Sequence, residues 1–287
     1  MSLKKIHYVT VLAFSAGALL AGCKPAAEST PPPAAGAAAT ATAAAPAAHV
    51  SRTARLQAFL TKRYGASASL SKGWQGDWTQ DGESRATDWQ VCAEQPVVSG
   101  DSWQQLLAVC GALTEGGHAE PGTIDFYVLR PSGDSVEVAA ELTGGTYGSG
   151  GRPGNVQIIR AGSDFYGFRN ESGWYGQGYS LETQTLILPG PKGLVDAGSL
   201  RSHIDNGAAY DCDDAEFAEE CRTRMFNLDF SYRFDDSDRS ARTWPLLIEE
   251  TGSECGGKPV RREHRFNLDA KTWTYTFPQA LQRESCP

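Results

Sequence analysis

The chain lacks a hydrophobic run long enough to cross a membrane as a helix. Its most apolar stretch covers residues 9–20, whereas a transmembrane helix needs roughly 18 to 20 apolar residues. This length argues against a short membrane helix and suits the apolar core of a secretory signal.

The sequence also lacks the short motifs that mark many enzymes. It contains no G-x-S-x-G elbow, no P-loop, no dinucleotide-binding glycine fingerprint and no H-E-x-x-H pair. The histidines available for acid–base chemistry in the folded part are His118, His203 and His264. His203 with Asp205 is the best candidate pair, but H-x-D equally fits a histidine at the surface or at a strand end. We therefore predict that the protein is not an enzyme and uses no cofactor.

Positive charge is scarce. Lysine and arginine total 26 against 34 acidic residues, a net charge of −8. Removal of residues 1–22 as a signal peptide would take away two lysines and no acid, and would lower the charge to −10. Nucleic acid and anionic lipid headgroups are then poor partners, and a cationic protein is a good one. A surplus of this size is also common on soluble proteins with no charged partner.

The N-terminus has the layout of a secretory signal, with two lysines, the apolar stretch and then small residues. It closes on Leu20-Ala21-Gly22-Cys23, which resembles the lipobox of bacterial lipoproteins. The resemblance implies cleavage before Cys23 and acyl chains on Cys23, and two or more chains anchor a protein stably. The alternative is an ordinary signal peptide.

Residues 24–49 are almost wholly Ala, Pro, Thr and Gly and predict a tether. At ~3.1 Å per residue in the extended polyproline form, the tether could hold a domain up to ~75 Å from the bilayer. Lys24 stands where an aspartate, by resemblance to enterobacterial lipoproteins, would favour retention in the inner membrane. We predict a lipidated cysteine and tether over residues 23–49, anchored on the periplasmic face of the outer membrane.

Beyond Cys23 the chain has six cysteines, an even number. In an oxidising periplasm we expect them to form disulfides. Six cysteines allow roughly 15 pairings, but the spacing groups them as neighbours. The predicted pairs are Cys92 with Cys110, Cys212 with Cys221, and Cys255 with Cys286. The alternative is a metal site, but there is no CxxC and no zinc-type Cys/His spacing, so we predict no metal ion.

The folded part should open with one short amphipathic helix. Ser51 can cap it, apolar residues recur one turn apart between residues 56 and 64, and Gly65 can end it. Short runs of alternating side chains follow, at residues 88–93, 106–113, 123–129, 136–142, 156–160, 165–168, 183–188, 225–234, 246–250, 261–268 and 273–277. Such spacing predicts a single all-β antiparallel domain over residues 50–287, as a sandwich, a barrel or a propeller-like fold.

The run at residues 225–234 alternates most strictly, with Phe, Leu or Tyr at every even position and polar residues between them. It predicts a central strand with one buried and one solvated face. Its sequence Phe-Asn-Leu-Asp at residues 226–229 recurs at residues 266–269, a period in the range of a propeller blade. Two copies of four residues do not establish a propeller, since a strand followed by a turn often reads this way.

Two acidic groups invite a comparison with metal sites. Residues 211–220 resemble a calcium loop, but Ala215 stands where an oxygen ligand belongs and Glu216 replaces the turn glycine. Asp213 with Glu216 instead fits a capping box that starts a short helix. The group at residues 235–238 is interpreted as a solvated hairpin loop. Calcium binding at the first group remains the alternative.

Glycine and aromatic residues alternate most densely between residues 144 and 179. Aromatic side chains on glycine-rich loops provide binding area with few rotatable bonds. The candidate partner-binding residues here are Tyr147 and the quartet Ser172-Gly173-Trp174-Tyr175. This S-G-x-Y quartet resembles the short loop motif of bacterial periplasmic lysozyme inhibitors and related immunity lipoproteins, whose loop enters the lysozyme cleft.

The resemblance implies that Ser172 and Tyr175 hydrogen-bond to the paired catalytic carboxylates of a glycoside hydrolase, while Gly173 lets the loop turn. The alternative is a plain β-turn. The predicted function is a periplasmic binding lipoprotein that inhibits a peptidoglycan hydrolase of the lysozyme type, or confers immunity to one. The alternative function is an envelope scaffold or a glycan- or peptidoglycan-binding module, which would use the same aromatic residues as stacking platforms.

The anchoring prediction can be tested with Cys23→Ser. Loss of the acylated thiol should release the protein from the membrane fraction or leave an unprocessed precursor, measured by fractionation and mass spectrometry. Mature, membrane-bound protein in the variant would contradict the prediction.

Overall fold

The computed structural model describes residues 50–99, 102–284 and 286 of the chain. The predicted signal peptide (residues 1–22), Cys23 and the tether (residues 23–49) lie outside the described residues. No helix in the described part of the chain has both the length and the apolarity of a membrane span.

The described residues form two antiparallel sheets, which confirms the all-β prediction. Helix α1 (Arg52–Tyr64) precedes the first sheet, and helix α2 (Ala218–Arg224) interrupts the second. The strands of the first sheet are β1 (Trp74–Gln80), β2 (Glu83–Ser99), β3 (Ser102–Leu113), β4 (Gly122–Ser132) and β5 (Ser135–Tyr147). Those of the second are β6 (Asn155–Arg160), β7 (Tyr166–Gly176), β8 (Tyr179–Gly190), β9 (Gly193–Asp205), β10 (Asn227–Phe234), β11 (Leu246–Glu254) and β12 (Lys258–Phe266). In both sheets each strand pairs with its neighbours in sequence, so each sheet is a meander.

Helix α1 begins and ends where the sequence predicts. The Ser51 hydroxyl accepts a hydrogen bond from the Ala54 N–H at 3.2 Å. Gly65, at φ 95°, closes the last turn by donating its N–H to the Thr61 carbonyl at 3.0 Å. Leu56 and Leu60 are fully buried against the first sheet, and each such burial stabilises the fold by about 1.5 to 3 kcal/mol.

The central strands of the first sheet, β3 and β4, are covered on both faces. One face packs against α1 in a cluster that includes Leu60 and Tyr127. The other face packs against the second sheet in a cluster that joins Ile124 and Phe126 to Phe168. Strands β3 and β4 therefore contain continuous buried runs, as expected for strands covered on both sides.

The second sheet has a further core that the C-terminal segment completes. Strand β10 is internal, and its even positions are buried or half-buried, as predicted. Tyr275 and Leu281 from the C-terminal segment join this cluster. The buried Glu250 carboxylate, only 1% exposed, accepts a hydrogen bond from Arg283 at 2.8 Å. This ion pair fixes the C-terminal segment to β11, because separating it would remove one partner of a buried carboxylate that Arg262 and His264 also contact.

Two strands of the structure, β9 and β1, are not predicted from the sequence, and one predicted strand does not form. Strand β9 contains Asp196 and Gly198, which interrupt its apolar pattern, and the sheet absorbs them in a bulge opposite β8. The predicted strand at residues 273–277 is an extended segment instead. Its Tyr275 N–H donates to the Ala197 carbonyl at 2.7 Å, inside that bulge. Strand β1 was also missed, since its seven residues include only two large apolar ones.

The Phe-Asn-Leu-Asp recurrence has no structural counterpart. Residues 226–229 lead into β10, whereas residues 266–269 end β12 and enter a turn. A strand followed by a turn accounts for the second copy, and the described residues form two packed sheets instead of propeller blades.

The predicted sequential cysteine pairs are confirmed. Cys92 with Cys110, Cys212 with Cys221, and Cys255 with Cys286 lie at disulfide-bonding distance, each with its Cα atoms 5.7 Å apart. Within residues 50–99, 102–284 and 286, no three cysteine, histidine or acidic residues come together as a metal-ligand group.

The predicted capping box at Asp213 is wrong. Helix α2 begins at Ala218 after Phe217, which makes no side-chain cap. The Asp214 carboxylate accepts a hydrogen bond from the N–H of Glu216 at 2.8 Å. Such local turns compete with helix formation and delay the helix start. The other acidic group does lie in a loop, between β10 and β11, as predicted.

Candidate functional site

The S-G-x-Y quartet lies at the end of a strand, although the sequence predicts a loop. Ser172 to Tyr175 pair with Thr183 to Ser180 of β8, and a two-residue turn, Gln177-Gly178, joins the strands. Both turn residues have positive φ, 53° and 80°, as a tight β-hairpin requires. We call residues 174–179 the β7–β8 tip.

Strand geometry separates the two polar members of the quartet. Successive side chains of a strand point to opposite faces, so Ser172 and Trp174 share one face while Tyr175 lies on the other. A Cβ on Gly154 would stand 2.9 Å from the Ser172 Cβ, which places Ser172 against the β5–β6 loop. Tyr175 is 62% exposed. Tyr175 is therefore the member of the quartet that the tip presents to solvent.

Side chains from two loops cap the outer edge of β7 at the tip. Strand β6 pairs with β7 only as far as Glu171, so the carbonyls beyond it lack a strand partner. Ser149 Oγ donates to the Gly173 carbonyl at 2.8 Å. His118 Nε2 lies 2.8 Å from the Tyr175 carbonyl and donates to it, since a carbonyl oxygen only accepts. These bonds hold the backbone of the tip and blunt an edge that could otherwise pair with another chain.

The turn of the tip packs tightly on a second support. A Cβ on Gly178 would come within 2.3 Å of the Ala209 backbone, in the 3-10 turn Gly207–Ala209. Tyr179 neighbours Tyr210, and burial together with the Tyr179 hydroxyl raises the pKa of Tyr210. The tip is thus held from two sides, by the loops that carry His118 and Ser149 and by the segment that follows β9.

The 3-10 turn that supports the tip is followed in sequence by an acidic segment, residues 211–216, whose negative charge is not neutralised. Its four acids, Asp211, Asp213, Asp214 and Glu216, are exposed, and none forms an ion pair with a described cation. The next acids, Glu219 and Glu220, are paired with arginines of α2. Because Asp211 is two residues from Ala209, its Cα lies within about 7.6 Å of the Ala209 Cα. Negative charge therefore begins beside the tip.

Tyr147, the remaining candidate, belongs to the core between the sheets. Its ring meets Phe126 edge-on at 6.0 Å. Burial, and to a smaller extent the Asp196 carboxylate, raises the pKa of Tyr147 to about 12. The structure does not bring Tyr147 to the surface with Tyr175.

His203 and Asp205, the best candidate acid–base pair in the sequence, hydrogen-bond to other partners. His203 Nδ1 lies 2.8 Å from Asp229 on β10, while Asp205 binds the Gly207 N–H and the Asn227 amide. His264 contacts the buried Glu250 at 3.1 Å, within the network that fixes the C-terminal segment.

Sequence reasoning missed the residues that support the tip. The sequence marks His118 only as a candidate for acid–base chemistry, and no motif marks Ser149 or Ala209. A partial signal was present, because Gly116 and Gly151 flank these positions in glycine-rich loops. A Cβ on Gly116 would stand 2.4 Å from the Gly151 Cα, so the two loops meet backbone to backbone. Only the three-dimensional structure shows that the loops meet.

Because the tip packs on Ala209, we predict that Gly178→Ala lowers the free energy of unfolding more than Gly82→Ala does. Both glycines follow a residue of positive φ in a two-residue turn, at φ 80° and 86°, but Gly82 has nothing near its Cβ position. In both variants an alanine at positive φ should lower the free energy of unfolding by about 1 kcal/mol. Gly178→Ala should lose at least ~1 kcal/mol more, because it must push Ala209 away. Equal losses in urea unfolding would contradict the close packing.

Because Tyr147 is buried, its hydroxyl should make the free energy of unfolding depend on pH. Its folded-state pKa, about 12, lies above the ordinary value of 10.0, so its contribution to stability is full below pH 10 and is lost as pH rises towards 12. In Tyr147→Phe, the fall in the free energy of unfolding across this range should be smaller than in the parent chain, measured by denaturant titration at each pH. Tyr175→Phe, which removes an exposed hydroxyl, is the control. The same fall in Tyr147→Phe and the parent would show that Tyr147 is solvated.

No family model, curated protein or solved structure matches the chain.

Proposed function

We propose that this protein is a lipid-anchored inhibitor of a peptidoglycan hydrolase of the lysozyme type, or an immunity protein against one. The observation that carries the proposal is an exposed tyrosine, Tyr175, on a hairpin tip that is held from two sides and adjoins an unneutralised acidic segment.

Tyr175 has the properties of a binding anchor. In the described part of the chain, only four large apolar or aromatic residues are exposed: Tyr175, Val98, Val138 and Phe217. Tyrosine buries a large area at the cost of ordering two side-chain torsions, and its hydroxyl can form a hydrogen bond in the partner's pocket. Because His118 already fixes the backbone at this residue, little further ordering is needed on binding.

The charge beside the tip favours a cationic partner. Residues 211–216 present four carboxylates without ion pairs among the described residues. The whole chain carries a net charge of −8, so the segment adds to an overall negative field. Complementary charge accelerates encounter and orients the partner before the anchor docks.

The S-G-x-Y resemblance supports a hydrolase cleft as the target, with one adjustment. Ser172 and Tyr175 lie on opposite faces of β7, so both cannot enter one cleft side by side. In this chain Tyr175 is the inserted residue, and its hydroxyl donates to a catalytic carboxylate. Ser172 packs against the β5–β6 loop and supports the strand from which Tyr175 projects.

The location follows from the N-terminal prediction. Acyl chains on Cys23 would hold the protein on the periplasmic face of the outer membrane, and the tether would let the tip reach a hydrolase acting on the cell wall. No catalytic role is assigned to the protein.

A glycan- or peptidoglycan-binding module is the second candidate. A cleft of about 480 Å³ beside β2 and β6 is lined by Gln90, Asn155, Gln157 and Glu171. Amide and carboxylate groups of this kind suit the hydroxyls of a sugar chain. Binding of neutral chitooligosaccharides to the full chain would favour this candidate over the inhibitor.

The inhibitor proposal predicts that the purified full chain slows at least one enzyme in a panel of lysozymes and other muramidases. Tyr175→Ala should weaken that effect by about thirtyfold or more, corresponding to ~2 kcal/mol for an anchor lost from a desolvated pocket. Tyr175→Phe should retain the packing and lose only the contribution of the hydroxyl. Raised salt should slow association more than it speeds dissociation.

The matched control is Val98→Ala, at another exposed apolar position, which should leave inhibition unchanged. If the chain slows no member of the panel, or if Tyr175→Ala inhibits as well as the parent, the assignment of the tip is wrong. Glycan binding or a scaffold role would then be the better interpretation.

A further inference from the structure

A cleft of about 590 Å³ lies at the end of β8 opposite the tip. Its walls are the β8–β9 turn at residues 190–193, the β4–β5 arm of the first sheet, and loop residues near positions 164 and 242. Strand β8 has twelve residues, so the cleft and the tip are roughly 35 Å apart. The volume is within the range of small-ligand sites.

Cations dominate the lining of this cleft. Arg130, Lys192 and Arg242 line it, and Asp164 is the one acid among the described lining residues. Neither Asp164 nor another described carboxylate lies within ion-pair distance of these three cations, whereas every arginine of β12 is paired. A local excess of free positive charge is unexpected on a chain whose net charge is −8.

The cleft also has an apolar floor and partly fixed walls. Val128 and Phe165 are buried at its base. The guanidinium of Arg242 lies 5.0 Å over the Trp273 ring, a contact that orients it. Lys192 is carried by the two-residue connection between β8 and β9 and follows Pro191, whose ring restricts the backbone.

We propose that this cleft binds an acidic sugar of one or two rings, carrying a carboxylate or a phosphate. Arg130, Lys192 and Arg242 would hold the oxyanion, because charge-assisted hydrogen bonds to guanidinium and ammonium groups are the strongest available here. The apolar floor contacts the ring, and Asp164 accepts hydrogen bonds from sugar hydroxyls. This site does not depend on the proposed inhibitor function, since it lies at the opposite end of β8.

Isothermal titration of the full chain tests the proposal. The probes are digalacturonate, glucose 6-phosphate, inorganic phosphate and the neutral disaccharide cellobiose. We expect one acidic sugar to bind at least tenfold more tightly than both cellobiose and inorganic phosphate, and the two sugar probes distinguish carboxylate from phosphate recognition. Arg130→Gln and Lys192→Gln should each weaken binding about tenfold, and Arg130→Lys, which keeps the charge, should retain most of it.

Lys72→Gln, at an exposed lysine outside the cleft, should leave binding unchanged. Thermal unfolding should show the same midpoint for all variants, because Arg130 and Lys192 are exposed. Three outcomes would overturn the proposal: no acidic sugar preferred over cellobiose, inorganic phosphate bound as tightly as the sugars, or equal weakening by Lys72→Gln and Lys192→Gln.

Discussion

Burial of β3 and β4 on both faces fixes the loops that build the candidate site. Helix α1 covers one side of these strands and the second sheet covers the other. Because both sides are packed, the β3–β4 and β5–β6 loops leave the first sheet from fixed positions beside the second sheet. There Gly116 meets Gly151 so closely that neither could carry a side chain without displacement. This contact places His118 and Ser149 against the edge of β7.

The same architecture separates two surfaces of opposite character. At one end of β8, an exposed tyrosine lies on a tip whose support leads into a segment with four acids that lack described ion pairs. At the other end, three cations without such pairs line a cleft. Elsewhere most arginines are matched with carboxylates, above all in β12 and in the Glu250 network that fixes the C-terminal segment. At both ends of β8, charges without a partner in the described fold therefore lie where an external partner can reach them.

Local pattern was sufficient to predict much of the fold. The cap at Ser51, the alternation in β10 and the cysteine spacing each depend on neighbours in sequence, and the structure confirms all three. The failures have non-local causes. Strand β9 tolerates glycine because the bulge beside Ala197 accepts the distant Tyr275 N–H. The quartet at residues 172–175 becomes strand because β8 and two loops supply its hydrogen bonds. Long-range contacts of this kind also create the candidate site, so its supports could not be found from sequence.

The proposed binding role requires that the tip is rigid before any partner arrives. Amide hydrogen exchange on the free full chain tests this most directly, by comparing peptides across the β7–β8 and β1–β2 turns. Both turns have two residues of positive φ, but only in the β7–β8 turn is the glycine packed against another segment, since the Cβ position of Gly82 is open. We expect markedly slower exchange across residues 174–181 than across residues 78–85. Equal exchange in the two turns would show that the supports do not hold the tip, and would contradict the claim that Tyr175 is presented in a fixed position.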